Sequence, residues 1–569
     1  MKRLGCIIYI VIYLVWYKGS SVMKKSKIIS DIKTEYYLVD RIVSEKDTVN
    51  SSLILEDLPR QSGSLKDESR FIIKKGGYIL LDFGVELQGG LLISTHVANG
   101  ANIRIIFGES AQEAMSGLGC KGFENMHSVR DYVINTGIQT TFETGNTGFR
   151  FVKISVDKDV YLNNIQAVCR MRNLEQRGSF ECSDELLNKI WETGAYTVNL
   201  NVQEYIWDGI KRDRLVWVGD LNPEINTILA AFGDAKCIKE SLDCAVSELK
   251  ENKWLKEPSY SLWWFINQYE LYMHSGDMDY LEQNREMFEN ISEQIFDEIS
   301  EDGGYSFDND YFVDWSSKGT PYEKAGFNSV LEMSLKSIIN LSEIYGTEEI
   351  KNTAIKKLEI VKKNDFEYAG SKQVTALKYI AGDLDDNEAR EILIKNGAEG
   401  LSCFMGFYVL KALARMGDVK SALDIIRQYW GGMLSVGATT FWEDFDIKWL
   451  ENGTRIDELV PEGMTDVHGD NGKHCYKGFR HSLCHGWASG PTGILSRYVL
   501  GVKIEEAGCK KIRITPNLGD LDYARGSFPT PYGEIRIEHT KKDGKIITKV
   551  NAPLDVTIIG DNKISISNY

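Results

Sequence analysis

The spacing of apolar residues changes twice along the chain, and these changes divide it into three regions. From about residue 71 to 170, apolar and polar positions alternate in short runs such as YILLDFG, ANIRIIFGE and FRFVKISV, with glycines between them. A period of two interrupted by glycine turns predicts antiparallel strands. We therefore expect an N-terminal β-sandwich within residues 23–178.

A helical pattern replaces the alternation at Ser183. This serine is followed by Asp184 and Glu185, an N-cap signal, and apolar residues then recur at intervals of three and four. Further segments of this kind follow to about residue 500, enough for roughly ten to twelve helices. They predict six helical hairpins closed into an (α/α)6 toroid over residues 179–502, although an open helical solenoid would have the same pattern.

The alternation returns near the C-terminus in KKIRITP, GEIRIEHT and KIITKVNA. These runs predict a small β-domain in residues 503–569. The expected fold is therefore a multidomain α and β protein, in which an (α/α)6 toroid is flanked by an N-terminal β-sandwich and a small C-terminal β-sandwich.

The first 22 residues have a basic pair followed by an apolar run of about a dozen residues, shorter than a membrane-spanning helix requires. Residues 1–22 resemble the first two regions of a signal peptide, but no A-x-A-like cleavage site follows. Met23 offers an alternative start, which would make the segment a start-site artefact. The ten cysteines form no CxxC pair, so we expect no disulfide framework and a cytoplasmic protein, with export as the alternative.

The charge of the chain constrains its partners. There are 66 Lys and Arg against 82 Asp and Glu, a formal net charge of -16, which repels nucleic acid and anionic lipid. We expect a neutral or cationic ligand, no nucleic-acid partner and no stable membrane association, and we leave a homo-oligomer open. Aromatic residues make up 11% of the chain and offer flat faces on which sugar rings stack, although packing accounts for most of them.

The most unusual stretch is DGIKRDRLVWVGD, from Asp208 to Asp220. Burying unpaired charge costs several kcal/mol, so the stretch is either a salt-bridge network at a helix start or a functional site. Nearby arginines lower a carboxyl pKa. We therefore expect Arg212 and Arg214 to hold Asp208 or Asp220 ionised while Asp213 serves as an acid.

Two further clusters follow far downstream. The segment GATTFWEDFD carries Glu443 beside Trp442, and HSLCHGWASGPTG carries His481 and His485 at the start of the last helix. Aromatic and polar clusters in several loops between helices predict one cleft lined by all of them.

Together these residues resemble the α-L-rhamnosidase family of inverting glycoside hydrolases. The family's motif has the form D-x-P-x-R-E-R-L-x-W/Y-x-G-D, and Asp208, Arg212, Asp213, Trp217 and Asp220 match it in register. The segment GATTFWEDFD resembles the family's G-A-T-T-x-W-E-x-W/F-D, and HGWASGP lies where the family has a histidine-bearing loop. The resemblance covers the helical domain and both β-domains.

The resemblance implies an enzyme that removes terminal α-L-rhamnosyl residues from glycosides by single displacement, without a cofactor or metal. Asp213 occupies the general-acid position and Glu443 the general-base position. Trp263 and Trp264 are weaker candidates that fit a core equally well. The residues implied in substrate binding are Asp208, Arg212, Trp217, Asp220, Asp314, Trp315, Trp442 and His485.

The chain departs from the family's pattern at two positions. Many members carry Glu where this chain has Asp213, which is shorter by one methylene, and Ile210 replaces the motif's proline. Both changes bear on the identity of the substrate more than on the type of reaction.

Four alternatives remain at this level. A non-catalytic sugar-binding homologue would keep the site without its chemistry, and a polysaccharide lyase would use Lys211, Arg212 and Arg214 to neutralise a uronate, with His485 as base. The N-terminal sandwich either packs against the toroid or binds carbohydrate. A zinc site must also be weighed, although the spacing matches no structural zinc pattern; its ligands would come from His468, His474, His481, His485, Cys475 and Cys484.

Overall fold

The computed structural model describes residues 31–57, 70–247, 249, 253–560 and 564–569. The signal-like segment predicted in residues 1–22 lies outside the described residues. Within the described part of the chain, every helix is too short or too polar to cross a lipid bilayer.

The N-terminal region is an antiparallel sheet with strand order β1-β7-β3-β6-β4-β5, and β2 pairs with β3 beside this path. A short helix, α1 (Ala111–Ser116), follows β4. The strands are β1 (Ile32–Tyr37), β2 (Arg41–Val49), β3 (Phe71–Val97), β4 (Asn102–Gly108), β5 (Asp131–Asn135), β6 (Thr140–Val156) and β7 (Val160–Arg172).

The long strand β3 gives this sheet two halves around one core. Its pairing with β6 is interrupted between Asp82 and Leu87, where Gly84 has a φ of 79°. An interruption of this kind bends a strand and increases its twist. Ile79 before the break and Leu91 after it are buried in the same apolar cluster, as a sandwich requires.

The central region is helical, as its periodicity predicts. Its first helix is capped by Asp184, one residue later than the Ser183 that we expected, and the aspartate accepts the N–H of Leu186 at 2.9 Å. The helices are α2 (Glu185–Asn201), α3 (Leu221–Ala231), α4 (Ala235–Ser247), α5 (Pro258–Ser275), α6 (Met278–Gln283), α7 (Arg285–Glu298), α8 (Glu323–Tyr345), α9 (Glu348–Val361), α10 (Lys372–Ala381), α11 (Asp386–Ile394), α12 (Cys403–Arg415), α13 (Val419–Ser435) and α14 (Gly490–Ile494).

These helices alternate between an inner and an outer ring. The inner helices α3, α5, α8, α10, α12 and α14 each pack on the next, and α14 packs back on α3. Every residue of α3 is buried, whereas α9 in the outer ring buries only Ala354 and Val361. The ring is closed, which confirms the (α/α)6 toroid and excludes the open solenoid.

The C-terminal region contains two facing sheets, with orders β11-β12-β16 and β17-β15-β14-β13-β8. Strand β8 (Ser179–Cys182) precedes the helical region in sequence but pairs with β13 of this domain. A short parallel pair, β9 (Gly453–Thr454) with β10 (Thr465–Asp466), lies in the loop before α14. The remaining strands are β11 (Val502–Glu506), β12 (Lys511–Ile514), β13 (Tyr523–Thr530), β14 (Gly533–Lys542), β15 (Lys545–Ala552), β16 (Thr557–Gly560) and β17 (Ile564–Asn568).

Candidate active site

The loops that precede the inner helices meet at one end of the toroid, because alternate helices of a closed ring of hairpins run in the same direction. A cavity of about 120 Å³ opens there. It brings together all the predicted site residues except Asp314 and Trp442. Its lining is Asp208, Arg212, Asp213, Trp217, Asp220, Glu257, Tyr260, Phe312, Trp315, Lys318, Glu443, Cys475, His485 and Trp487.

Arg212 links the candidate acid to the candidate base. Its Nη2 is bonded to Oε1 of Glu443, and its Nη1 lies 3.6 Å from Oδ1 of Asp213. Burial disfavours the charge of Arg212, but Glu443 and Asp213 outweigh burial and raise its pKa. One guanidinium therefore contacts both carboxyl groups, which come from loops far apart in the sequence.

Asp213 sits in an unusual backbone conformation. Asp213 and Arg214 have φ values of 55° and 57°, in the left-handed region that non-glycine residues occupy at a cost of roughly 1 kcal/mol or more each. The guanidinium of Arg214 holds this turn, since it donates to the carbonyls of Ile210 at 2.9 Å and Asn146 at 2.8 Å and lies over the Trp207 ring. Arg214 therefore shapes the loop beside the cavity.

The segment that carries Glu443 is clamped between two domains. The Thr439 hydroxyl accepts the N–H of Glu86 at 2.9 Å, and the Thr440 hydroxyl donates to the carbonyl of Leu483 at 2.7 Å. Oε2 of Glu443 accepts the N–H of Ser482 at 3.0 Å. The threonines of the GATT sequence thus attach the base-bearing loop to the N-terminal sheet and to the loop before α14.

Asp208 and Asp220 are buried beside each other, and our expectation that the arginines hold one of them ionised is wrong. Burial, followed by the charges of Asp213 and Asp220, raises the pKa of Asp208 well above its usual range. Burial likewise raises the pKa of Asp220, against a hydrogen bond of 3.3 Å from the Tyr260 hydroxyl. Arg212 and Arg214 are engaged with Glu443 and with backbone carbonyls, and the charge of Arg214, which does act on Asp208, does not outweigh burial.

His485 and Asp208 are joined through both backbone and side chains. Gly486 donates its N–H to the Asp208 carbonyl at 2.8 Å, and His485 Nε2 lies 3.7 Å from Asp208 Oδ2. Burial, with a smaller contribution from Arg212, keeps the pKa of His485 well below its usual range. A neutral histidine at this position can donate to or accept from a bound hydroxyl, but not both through one nitrogen.

Aromatic side chains form the rest of the wall. Trp217 packs edge-on against Tyr260 at 5.8 Å between ring centroids, and the ammonium of Lys256 lies 4.1 Å above its ring. Trp315 stacks on His474 at 5.7 Å. Such faces can hold the apolar side of a sugar ring.

Two predicted residues lie behind the wall rather than in it. The Asp314 carboxylate is buried and accepts hydrogen bonds from Ser316 at 2.5 Å and Ser402 at 2.9 Å, so it fixes the loop from which Trp315 projects. Trp442 is fully buried, with its ring 5.7 Å from that of Phe445. Trp263 and Trp264, which the sequence left open, are core residues.

Several lining residues were not predicted as members of this site. Glu257 is the residue before α5, and burial, followed by a hydrogen bond with Asp310, raises its pKa to about 7. Lys318 and Cys475 also face the cavity. None of these three residues belongs to a recognisable catalytic motif. Each one reaches the cavity because of the course of the loop that carries it.

A buried charge network lies beneath the cavity. Side-chain atoms of Glu109, Glu113 and His468 lie within 4.8 Å of one another, a spacing that could hold a metal ion. Lys211 Nζ contacts all three, at 3.0 Å from Glu109, 3.1 Å from Glu113 and 3.5 Å from His468. The ammonium therefore takes the central position in this group.

Among the described residues, the histidines and cysteines considered for zinc form no group of three that could share an ion, although His468 and His481 contact each other. His468 is in this network, His474 stacks on Trp315, and the His485 ring lies 4.2 Å from that of Trp487. His481 accepts the N–H of Asp444 at 2.8 Å.

Two regions of the chain match known family models. Residues 175–359 match the bacterial α-L-rhamnosidase six-hairpin glycosidase domain, and residues 501–559 match the bacterial α-L-rhamnosidase C-terminal domain. The predicted resemblance to the α-L-rhamnosidase family is confirmed. The matched regions contain the loop of Asp213, while the loop of Glu443 lies between them.

Similar proteins include an α-L-rhamnosidase of Formosa agariphila, 20% identical over 84% of this chain and 54% of the relative. The GH78 family rhamnosidase of Bacillus sp. GL1 has the same fold, with a TM-score of 0.70 at 20% identity over 87% of this chain and 54% of that one. A rhamnosidase of Klebsiella oxytoca solved with rhamnose bound has a TM-score of 0.64 at 18% identity, over 82% of this chain and 96% of that one. The chain spans about half the length of the curated α-L-rhamnosidases it matches.

Proposed function

We propose that this protein is an inverting glycoside hydrolase that removes terminal α-L-rhamnosyl residues from glycosides. The observation that carries the proposal is the pair Asp213 and Glu443, which both contact Arg212 and line one cavity of a six-hairpin rhamnosidase-type domain. The similarity to proteins named α-L-rhamnosidase supports rhamnose as the sugar.

In this mechanism Asp213 protonates the glycosidic oxygen as the bond to the sugar breaks. Glu443 takes a proton from a water that attacks the anomeric carbon from the opposite face, so the configuration inverts. Arg212 and the Ser482 N–H bind different oxygens of Glu443 and fix its orientation. Such positioning lowers the entropic cost of aligning the water with the sugar.

The buried carboxyl groups suit a neutral polyhydroxylated ligand. Because burial raises the pKa values of Asp208 and Asp220, a protonated carboxyl there can donate one hydrogen bond and accept another. The hydroxyls of a sugar need both kinds of partner. The faces of Trp217 and Trp315 would cover the apolar side of the ring and the methyl group that rhamnose carries in place of a hydroxymethyl.

The test is the stereochemistry of the product. With 4-nitrophenyl α-L-rhamnoside, proton NMR should detect β-L-rhamnose first, followed by slow mutarotation. An initial α-anomer would contradict inversion, and no release of nitrophenol would contradict the activity. An ultraviolet-absorbing unsaturated product from a uronate polymer would support the lyase alternative instead.

A further inference from the structure

A loop of the N-terminal sandwich reaches the candidate acid. The loop, residues 117–130, runs from α1 to β5, and its His127 places Nε2 at 3.2 Å from Oδ1 of Asp213. The exposed fractions of the two side chains are 21% and 22%, so this contact lies at the mouth of the cavity. The acid therefore has a contact from a different domain, and this contact is shorter than the one with Arg212.

The loop is held at several points. The Ser128 hydroxyl donates to the Lys211 carbonyl at 3.1 Å, which ties the loop to the segment that carries Asp213. On its other side, Arg480 donates to Glu124 at 2.9 Å. The loop thus bridges the segment of Asp213 and the segment before α14, and the position of His127 is defined by both.

His127 lies on the outer side of Asp213. Met126 and His127 line a shallow recess together with Arg212, which also lines the central cavity, so the two spaces adjoin. Met126 is 66% exposed, so its side chain is open to a ligand at this recess. In a glycosidase the acid contacts the oxygen between the sugar and its leaving group, so groups beyond the acid face the leaving group.

We propose that Met126 and His127 form the leaving-group subsite, with Met126 against a hydroxylated ring and His127 positioning Asp213. This inference rests on the proposed function, because it takes Asp213 as the proton donor. His127 and Arg212 both approach Oδ1 of Asp213. In this arrangement Oδ2 is the oxygen that donates the proton to the glycosidic oxygen.

The contact supports one step of the reaction. The proton passes from Asp213 Oδ2 to the glycosidic oxygen, the bond from that oxygen to the anomeric carbon breaks, and the leaving group departs as an alcohol. Water supplies the new bond to carbon, and its proton goes to Glu443. Asp213 is left as a carboxylate, which the adjacent imidazole and guanidinium stabilise.

The test compares leaving groups that differ in their need for a proton. For His127→Ala, kcat/KM should fall roughly tenfold or more on a rhamnosyl disaccharide, whose leaving group is a poor one, and less than about threefold on 4-nitrophenyl α-L-rhamnoside. Inhibition by free rhamnose should not change, since rhamnose does not occupy the leaving-group subsite. His127→Gln keeps a donor of similar reach and should recover most of the loss.

Met126→Ala should raise KM for the disaccharide several-fold with little effect on kcat. His96→Ala, on the same sandwich but outside the loop, is the matched control, and thermal melting verifies that each variant is folded. Equal losses on both substrates, or none, in an active protein would overturn this inference alone. A wild-type protein inactive on both rhamnosides would overturn the proposed function and this inference with it.

Discussion

At the scale of single residues, one guanidinium organises the site. Arg212 contacts Asp213 and Glu443, which the sequence separates widely, and the reaction we propose needs these two carboxyl groups in opposite protonation states. The neighbouring carboxyl groups of Asp208 and Asp220 do not form a pair with one protonated and one ionised member, because burial raises the pKa of both. In the mechanism that we propose, Asp213 is the acid and Glu443 is the base.

We predict that Asp213→Asn and Glu443→Gln each lower kcat by at least about a hundredfold. Asparagine cannot donate the catalytic proton, and glutamine cannot accept one from water, while both keep the size of the side chain. The measurement is the turnover of 4-nitrophenyl α-L-rhamnoside. Glu451→Gln, at an exposed position beyond Glu443 on the same loop, should retain the wild-type rate. A near-normal rate in either site variant would remove that residue from its role.

The composition of the site could be predicted from sequence better than its arrangement. Motif spacing was sufficient to bring Asp213, Glu443 and Trp217 to one cavity. Motif spacing did not show that Trp442 packs behind the cavity wall, because an aromatic residue next to an acidic one is compatible both with a hydrophobic core and with a binding surface. The raised pKa of Asp208 depends on burial, which no local pattern encodes.

At the scale of elements, the loop before α3 is attached to the N-terminal sandwich by buried charge. Lys211 lies between Glu109 and Glu113, and Glu109 also accepts the N–H of Leu483 at 2.6 Å. Burial raises the pKa of Glu113, but Arg130 and Lys211 outweigh burial and lower it well below its usual value. The protonation state of each carboxyl group in this network therefore depends on the charges of its neighbours.

We predict that Lys211→Met lowers the free energy of unfolding by about 3–5 kcal/mol, since it removes the ammonium between Glu109 and Glu113 and leaves Arg130, which pairs with Glu113, as the remaining cation. Urea denaturation followed by tryptophan fluorescence measures the change. The same substitution at exposed Lys189 on α2 should stay within about 0.5 kcal/mol of wild type. If Lys211→Met is as stable as Lys189→Met, the carboxyl groups of the network are protonated and the lysine is dispensable.

The helices and strands form where the spacing of apolar residues predicts them. Closure of the ring and the pairing of β8 were not predictable in this way, for physical reasons. Alternation and helical spacing were sufficient for the three regions, but closure of the ring depends on α14 packing against α3, a contact between distant parts of the chain. Strand β8 has only four residues, and its partner β13 lies more than three hundred residues away. A strand of four residues is too short to show a clear alternation of apolar and polar positions. The sequence therefore does not predict which sheet β8 joins.

At the scale of the whole molecule, the three regions share interfaces that contain charged and titratable groups. Arg150 of the sandwich donates to the carbonyl of Gly437 at 2.9 Å and pairs with Asp82. On the opposite side, His274 at the end of α5 meets strand β13 of the C-terminal domain. The N-terminal domain therefore contacts the loop that carries Glu443, whereas the C-terminal domain contacts the other end of the inner helix α5.

The last prediction concerns the pH dependence of this docking. His274 is buried, its Nε2 donates to the carbonyl of Pro529 at 3.1 Å, and burial followed by the charge of Arg497 lowers its pKa to about 4. In the unfolded chain the pKa is close to 6.5. Between these values the unfolded state binds more protons, so the contribution of this group to stability is complete above pH 6.5 and is lost as pH falls toward 4.

Within this pH window, His274 contributes a slope of the free energy of unfolding against pH that approaches about 1.4 kcal/mol per pH unit. His274→Gln keeps an amide donor for Pro529 but does not titrate, so its free energy of unfolding should fall less steeply between pH 6.5 and 4 than that of the wild type. Urea titrations at half-unit steps measure both curves. The same change at His96, which is partly exposed on β3, provides the comparison. Parallel curves for His274→Gln and wild type would mean that this histidine is already protonated in the folded protein, and that its interface tolerates the charge.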